Sequence, residues 1–178
     1  MTNAFSRQIQ NRNFLSPLGF KFNLARTPKV DFFSNSANIP GINLGVAIQP
    51  SYLKDIPLPG DKLSYDDFNL KFTVDENLEN YLEIHNWMRG LGYPETIAEY
   101  DQWKYGDPTN NSDPNVSDAT LIIYNSNFKT NTTVKFRGMF PTSLSTIDFD
   151  ATQSDVQYVT ATATFKYSIY DIITYEPG

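Results

Sequence analysis

The sequence predicts a mainly β fold, an antiparallel barrel or sandwich with one flanking α-helix at about residues 76–91 and long loops. Three observations lead to this prediction. A stretch near the C-terminus alternates strictly between apolar and polar residues, a second alternating stretch runs directly into one amphipathic helix, and shorter alternating stretches occur along the rest of the chain.

The C-terminal stretch, residues 158–170, has the clearest strand pattern. Apolar residues such as Ala161, Ala163 and Phe165 fall on one face. The polar positions of the other face are Thr160, Thr162, Thr164 and Ser168. A strand of this length exceeds the usual ~5–6 residues and suits a wall whose polar face is exposed or lines a channel.

The second pattern joins a strand to the helix. Phe68, Leu70 and Phe72 alternate with polar residues, and after residue 75 the apolar positions take on the spacing of a helix. Asp75 is suited to cap this helix, because its carboxylate can accept a bond from a free backbone N–H group. Gly90 and Gly92 are suited to end it.

Shorter patterns predict strands at residues 20–24, 30–33, 120–124, 132–140 and 147–150. Residues 42–48 also alternate, but prolines at positions 40, 50, 57 and 59 interrupt the surrounding segment. Since proline cannot donate to a central ladder, we expect residues 39–60 to be extended and to form an edge or a protrusion.

The length of 178 residues fits a single domain, residues 1–178. Within it, residues 1–18 form a polar N-terminal arm, residues 39–60 form the Pro-rich segment, and residues 93–118 form a long loop. The arm and the Pro-rich segment contain apolar residues with no pattern that packs them locally, which predicts contact with neighbouring subunits. These candidates are Phe5, Ile9, Phe14, Leu15, Leu44, Tyr52 and Leu53.

The long loop contains three aromatic residues, Tyr100, Trp103 and Tyr105, among acids and amides. Loops of this length inside one domain are usually functional. Aromatic side chains often dominate protein interfaces, so these residues are candidates for docking a partner. Burial within the domain is an equal alternative that the sequence leaves open.

Composition excludes several classes of function. The chain has no cysteine, which removes disulfides and thiolate metal sites. A formal charge of −6 disfavours a protein that grips nucleic acid, because gripping phosphates requires clustered Lys and Arg. No apolar run is long enough to span a bilayer, and residues 1–16 lack the continuous apolar run of a secretory signal, so we expect a soluble protein made in the cytoplasm without membrane insertion.

The sequence offers no constellation for catalysis or for a bound group. His85 is the sole histidine, which excludes a cluster of histidine ligands. Neither a Gly-rich phosphate loop nor a Gly-x-Ser-x-Gly motif occurs. We therefore predict a protein that is not an enzyme and has no catalytic residue, no metal site and no cofactor.

Several motifs resemble, in order and spacing, the tail tube proteins of T4-like contractile-tailed phages. In the centre, Gly60-Asp61-Lys62 and Tyr65-Asp66-Asp67-Phe68 precede the strand and helix. Near the end, Gly138-Met139-Phe140-Pro141-Thr142 precedes Ile147-Asp148-Phe149-Asp150 and the long strand. At the front, Ala4-Phe5, Phe14, Pro17 and Phe20-Lys21-Phe22 are similar to the family's arm and first strand.

The resemblance implies a structural virion protein that forms rings of six subunits, joined around a continuous inner β-barrel and stacked into the inner tail tube. DNA would pass through the lumen without specific binding, and Thr160, Thr162, Thr164 and Ser168 are the lumen-facing candidates. The implied partners are other copies of the chain, the sheath protein, baseplate or initiator and terminator proteins, and the tape measure protein. The alternatives are a specialised initiator or terminator ring of the same fold, or a carbohydrate-binding β-sandwich.

Overall fold

The structure, a computed structural model, is mostly antiparallel β, which confirms the fold class predicted from the sequence. It describes residues 14–31, 33–92, 94–98, 101, 115–149, 152 and 158–175. The elements are β1 (Phe20–Leu24), α1 (Pro28–Asp31), β2 (Ser34–Ala37), β3 (Ile42–Gln49), β4 (Ile56–Tyr65), β5 (Phe68–Thr73), α2 (Glu79–Gly92), β6 (Ser117–Tyr124), β7 (Thr130–Leu144), β8 (Thr160–Lys166) and β9 (Ile169–Thr174).

Seven of these strands form one sheet in the order β1-β6-β7-β8-β5-β2, with β9 also paired to β7. Strands β3 and β4 form a separate two-stranded sheet. The pairs are antiparallel throughout. The chain therefore places one long hairpin outside the main sheet.

The longest strand, β7, connects the two halves of the sheet. Its first part pairs with β9 from Thr132 to Arg137, and its last part pairs with β8 from Phe140 to Leu144. Between them Gly138 has a φ of 63°, a conformation that glycine adopts at little cost. A Cβ at this position would lie 2.8 Å from the Ser168 Oγ, so a side chain here would also displace that hydroxyl.

Both halves of the sheet contribute aromatic rings to one core. Phe68 stacks on Phe22 with ring centroids 5.1 Å apart and contacts Phe136 at 4.9 Å. Helix α2 covers this core with Ile84 and Trp87, and the Trp87 ring lies 6.4 Å from that of Phe165. All of these side chains are fully or almost fully buried.

Helix α2 starts three residues later than the sequence predicts because Leu78 has a φ of 58° and closes a turn with Asp75. The capping role predicted for Asp75 is confirmed. Its Oδ1 accepts the Asn80 N–H at 3.1 Å, and the buried Asn80 amide donates to the Thr73 carbonyl oxygen at 2.8 Å. These bonds fix the start of α2 to the end of β5.

The prediction of a strand at residues 30–33 is wrong. Pro28 occupies the first position of the short helix α1, where its fixed φ and missing N–H group suit a helix start. Helix α1 turns Asp31 back so that its carboxylate accepts the Leu24 N–H at 2.9 Å. Burial raises the pKa of Asp31 from 3.8 to about 6, so the folded chain holds that proton more tightly and loses stability as pH rises through this range.

The prediction of one strand over residues 158–170 is also wrong. The chain bends at Tyr167 and Ser168, where the Ser168 N–H donates to the Arg137 carbonyl oxygen beside the Gly138 bend, and β8 and β9 follow the two parts of β7. The strand predicted at residues 147–150 is not present in its described part, since residues 147–149 are irregular. Residue 150 lies outside the described residues.

The two faces of β8 predict responses of very different size to substitution. Phe165→Ala should lower the free energy of unfolding by ~3–5 kcal/mol, because it opens a cavity among fully buried rings. Thr162→Ala, on the half-exposed face of the same strand, should change it far less. Urea unfolding of both variants measures this, and equal losses would contradict the assignment of the faces.

Candidate functional site

Three surface features, rather than a cleft, distinguish this chain. They are the apolar hairpin formed by β3 and β4, the polar outer surface of the β2-β5-β8-β7 half of the sheet, and the two edges of that half.

The hairpin carries an apolar face that, apart from Tyr65 at its base, nothing in the described part of the chain covers. Side chains directly opposite each other in an antiparallel pair share one face. The pairs on this face are Ile42 with Tyr65, Leu44 with Leu63, Val46 with Pro59 and Ile48 with Pro57. The exposed fraction of Val46 is 67% and that of Ile48 is 65%. Such continuous apolar exposure marks an interaction surface.

A close contact between two glycines keeps the hairpin strands together at an irregularity in their register. The register shifts between Leu44 and Val46. There a Cβ on Gly60 would lie 2.4 Å from the Gly45 carbonyl oxygen. A side chain at this position would therefore force the backbone to move. This close approach explains why glycine stands at position 60, the first residue of the Gly-Asp-Lys motif.

Three tyrosines attach the hairpin to the main sheet. Tyr65, the last residue of β4, lies 5.9 Å from the Tyr167 ring and 5.6 Å from the Tyr170 ring. The Tyr170 hydroxyl donates to the backbone carbonyl oxygen of Pro40 at 2.9 Å. The Tyr167 hydroxyl donates to the backbone carbonyl oxygen of Asp66, also at 2.9 Å. Burial, with Tyr170 and Asp66 nearby, raises the pKa of Tyr167 to about 12, so its hydroxyl stays protonated and able to donate.

The second feature is a surface we call the polar face, the outer side of β2, β5, β8 and the end of β7. On it, Thr160, Thr162 and Thr164 lie directly opposite Thr73, Lys71 and Asn69 of β5. The Thr164 hydroxyl donates to the Asn69 side-chain oxygen at 2.9 Å, and the Asn35 amide donates to the Thr73 hydroxyl at 2.8 Å. Ser168 is exposed but lies at the bend after β8, so the structure does not bring it together with the three threonines.

The third feature is the pair of edges that bound the polar face. Strand β2 pairs with β5 on one side, and among the described residues no strand pairs with its other side. Within the same described ranges, the end of β7 from Phe140 to Leu144 pairs only with β8, because β6 pairs no farther along β7 than Met139. Unpaired backbone groups at such edges are able to pair with another chain.

Groups that could perform chemistry are not brought together in the described part of the chain. No cluster of three or more His, Cys, Asp or Glu side chains able to hold a metal occurs among the described residues. His85 is exposed on α2 and lines an open groove of about 540 Å³ with Tyr81 and Arg89. No helix in the described ranges has the length and apolar character needed to cross a membrane.

The predicted contact residues fall into two groups. Phe14, Leu15, Leu44, Tyr52 and Leu53 are exposed, with Tyr52 and Leu53 at the hairpin tip. Phe5, Ile9, Tyr100, Trp103 and Tyr105 lie outside the described residues. The sequence prediction omitted the hairpin residues Ile42, Val46 and Ile48. Their alternation was visible, but the pairing that places them on one exposed face was not.

Comparison with known proteins agrees with this architecture. A protein-family model described as phage tail tube protein matches residues 1–173. The tail tube terminator protein of Enterobacteria phage T4 is 24% identical over 142 residues, which cover 78% of this chain and 76% of that protein.

Solved structures with a similar fold come from contractile injection systems. A chain of the anti-feeding prophage baseplate has a TM-score of 0.62 at 13% identity, covering 95% of this chain and 100% of that one. The tube terminating cap of the anti-feeding prophage has a TM-score of 0.61 at 17% identity, with 97% and 99% covered. A sheath-tube complex of an extracellular contractile injection system has a TM-score of 0.58 at 17% identity, with 92% and 94% covered.

The attachment of the hairpin can be tested at Tyr170. Tyr170→Phe removes the hydroxyl bond to Pro40 and should cost about 1 kcal/mol. Amide hydrogen exchange should accelerate in residues 42–49 more than in β8. Tyr175→Phe, a substitution of an exposed tyrosine near the end of β9, is the matched control. Equal acceleration in both variants would contradict an anchoring role for Tyr170.

Proposed function

The chain belongs to the phage tail tube protein family, and we propose that within it this chain is the tail tube terminator of a contractile phage tail. The T4 relative, a tail tube terminator, carries this proposal, because its similarity extends over three quarters of both chains. The fold alone does not separate the roles, since baseplate, cap and sheath-tube structures match with TM-scores of 0.62, 0.61 and 0.58. The comparisons thus support the terminator alternative better than the main tube subunit favoured by the sequence.

A ring of copies joined edge to edge would satisfy both free edges of the polar face. Strands alternate in direction across β2, β5, β8 and the end of β7, so β2 of one subunit and β7 of the next would meet antiparallel. Closing the sheet on itself removes its edges, which is the usual solution for a barrel. We propose rings of six in which the polar face lines the lumen, with Thr160, Thr162 and Thr164 directed toward it.

The apolar hairpin is the proposed contact with neighbouring subunits and with the last ring of the tube. Nine large apolar side chains of residues 42–63 are exposed in the isolated chain, which is costly in water unless a partner covers them. Tyr52 and Leu53 are among the nine, and Phe14 and Leu15, which are also exposed, are further candidates for this contact. Phe5 and Ile9 remain candidates in the same role, as Tyr100, Trp103 and Tyr105 do for docking another tail protein.

The role is structural, in the virion tail, and requires no cofactor. The partners proposed for it are other copies of the chain, the tube subunit below, the sheath protein and the tape measure protein. Baseplate or initiator proteins would be partners only if the chain instead serves as the main tube subunit or as the initiator. A carbohydrate-binding sandwich, the remaining alternative, has no observation in its favour.

Electron microscopy of purified protein mixed with tubes of the same phage separates the two leading roles. A terminator should form single rings, occupy one end of each tube and stop elongation. Long tubes made of this protein alone would contradict the terminator role and favour the main tube subunit. A protein that remains monomeric in both conditions would contradict either role.

The hairpin contact can be tested with two substitutions on opposite faces of the hairpin. Val46→Asp places a charge on the apolar face and should abolish binding to tube ends, while the circular-dichroism spectrum stays unchanged because Val46 is exposed. Ser64→Asp places the same charge on the opposite face, at the exposed polar pair of Asn43 and Ser64, and should be tolerated better. Cosedimentation with tubes measures both, and equal binding by the two variants would contradict the assignment.

A further inference from the structure

Lys71 is a cation in the middle of the polar face without an ion pair among the described residues. It lies opposite Thr162 on one side and Ser36 on the other. Asp67, an acid next to the start of β5, is paired with Lys166, whose Nζ lies 2.8 Å from the Asp67 Oδ1. The polar face therefore carries net positive charge, although the whole chain has a formal charge of −6.

Hydroxyl and amide groups surround this cation. Asn69 and Thr73 are its neighbours on the same face of β5, and Thr160 and Thr164 flank its partner on β8. Side chains of these types donate hydrogen bonds to phosphate oxygens in protein–DNA contacts, together with Lys and Arg. The combination matches the donors that contact a sugar–phosphate backbone.

We propose that Lys71 of every subunit contributes to a positive collar in the lumen, which contacts DNA phosphates and retains the DNA end in the terminator ring. This inference rests on the proposed function, since it requires the polar face to line the ring. Six copies of this four-stranded face would give roughly 24 strands about 4.8 Å apart, and with the strands tilted by about 40° the backbone diameter is near 48 Å. At that width the lysines project toward a central duplex from all sides.

The collar reverses the expectation from net charge. Overall acidity keeps DNA away from the outer surface, whereas a ring of lysines inside a narrow wall concentrates positive potential where the duplex passes. The two effects together would direct DNA into the lumen and slow its passage there. Because phosphate contacts release counterions, the retention depends on salt.

Binding of a short fluorescent duplex to assembled rings, measured by anisotropy over a series of salt concentrations, tests the collar. Lys71→Gln should weaken binding and reduce the slope of log K against log salt by ~0.9 for each phosphate that the variant no longer neutralises. Lys71→Glu should abolish binding. Lys135→Gln, the same charge change at an exposed position of β7 in the other half of the sheet, is the matched control and should keep the wild-type slope.

The outcomes separate this inference from the proposed function. Ring formation is measured on the same samples by sedimentation, and Lys71 is exposed, so its variants should assemble normally. Rings whose DNA binding is absent, or is equally affected by Lys71→Gln and Lys135→Gln, would overturn the collar alone. Wild-type protein that forms no ring would overturn the proposed function as well. Stronger competition by polyglutamate than by unlabelled duplex would identify an acidic protein as the ligand and overturn DNA retention.

Discussion

The alternation of residues along β8 is the constraint on which the other surfaces depend. Ala161, Ala163 and Phe165 are buried, and a shift of the strand by one residue would place them in solvent. Their burial fixes the register against β5 and against the end of β7. The same register determines that Thr160, Thr162 and Thr164 point away from the core beside Lys71. The polar face is thus a consequence of core packing.

The bend in β7 determines how this half of the sheet relates to the rest. Gly138 allows one strand to pair with β9 and then with β8, and the chain between β8 and β9 bends at the same level. Tyr167, at that second bend, and Tyr170, just after it, donate hydrogen bonds to the base of the hairpin. The position of the apolar hairpin therefore depends on the same corner as the polar face, which couples two of the three features proposed for assembly.

The sequence predicted the fold class, most strands and the cap at Asp75, because these depend on local alternation and on local bonds. It did not reveal the division of residues 158–170 into two strands, since the cause lies at Gly138, some thirty residues away in the sequence. It also misread residues 30–33, where a proline at a helix start outweighed the strand propensity of Val30. The two-residue alternation alone selects the lumen candidates. It therefore includes Ser168, although a bend separates this residue from the threonines.

The site was less accessible to sequence reasoning than the fold. In the sequence, Lys71 is one of several polar residues that alternate along β5. Only the pairing with β2 and β8 places it at the centre of an exposed face. Likewise, the free edges of β2 and β7 follow from long-range pairing. Global charge gave no indication of a local positive surface, because it sums over all faces of the molecule.

The central claim is that subunits join through β2 of one copy and the end of β7 of the next. The chain has no cysteine, so a variant with Ser36→Cys and Ser143→Cys reports this contact without background. Within one chain these positions are three strands apart, roughly 14 Å, too far for a disulfide, whereas strands paired across a junction bring Cα atoms within ~5.5 Å. Mild oxidation of assembled rings should give a ladder of covalent oligomers that ends at six. Rings that form normally but yield no cross-link, with Thr142→Cys tested as the alternative register, would contradict the account.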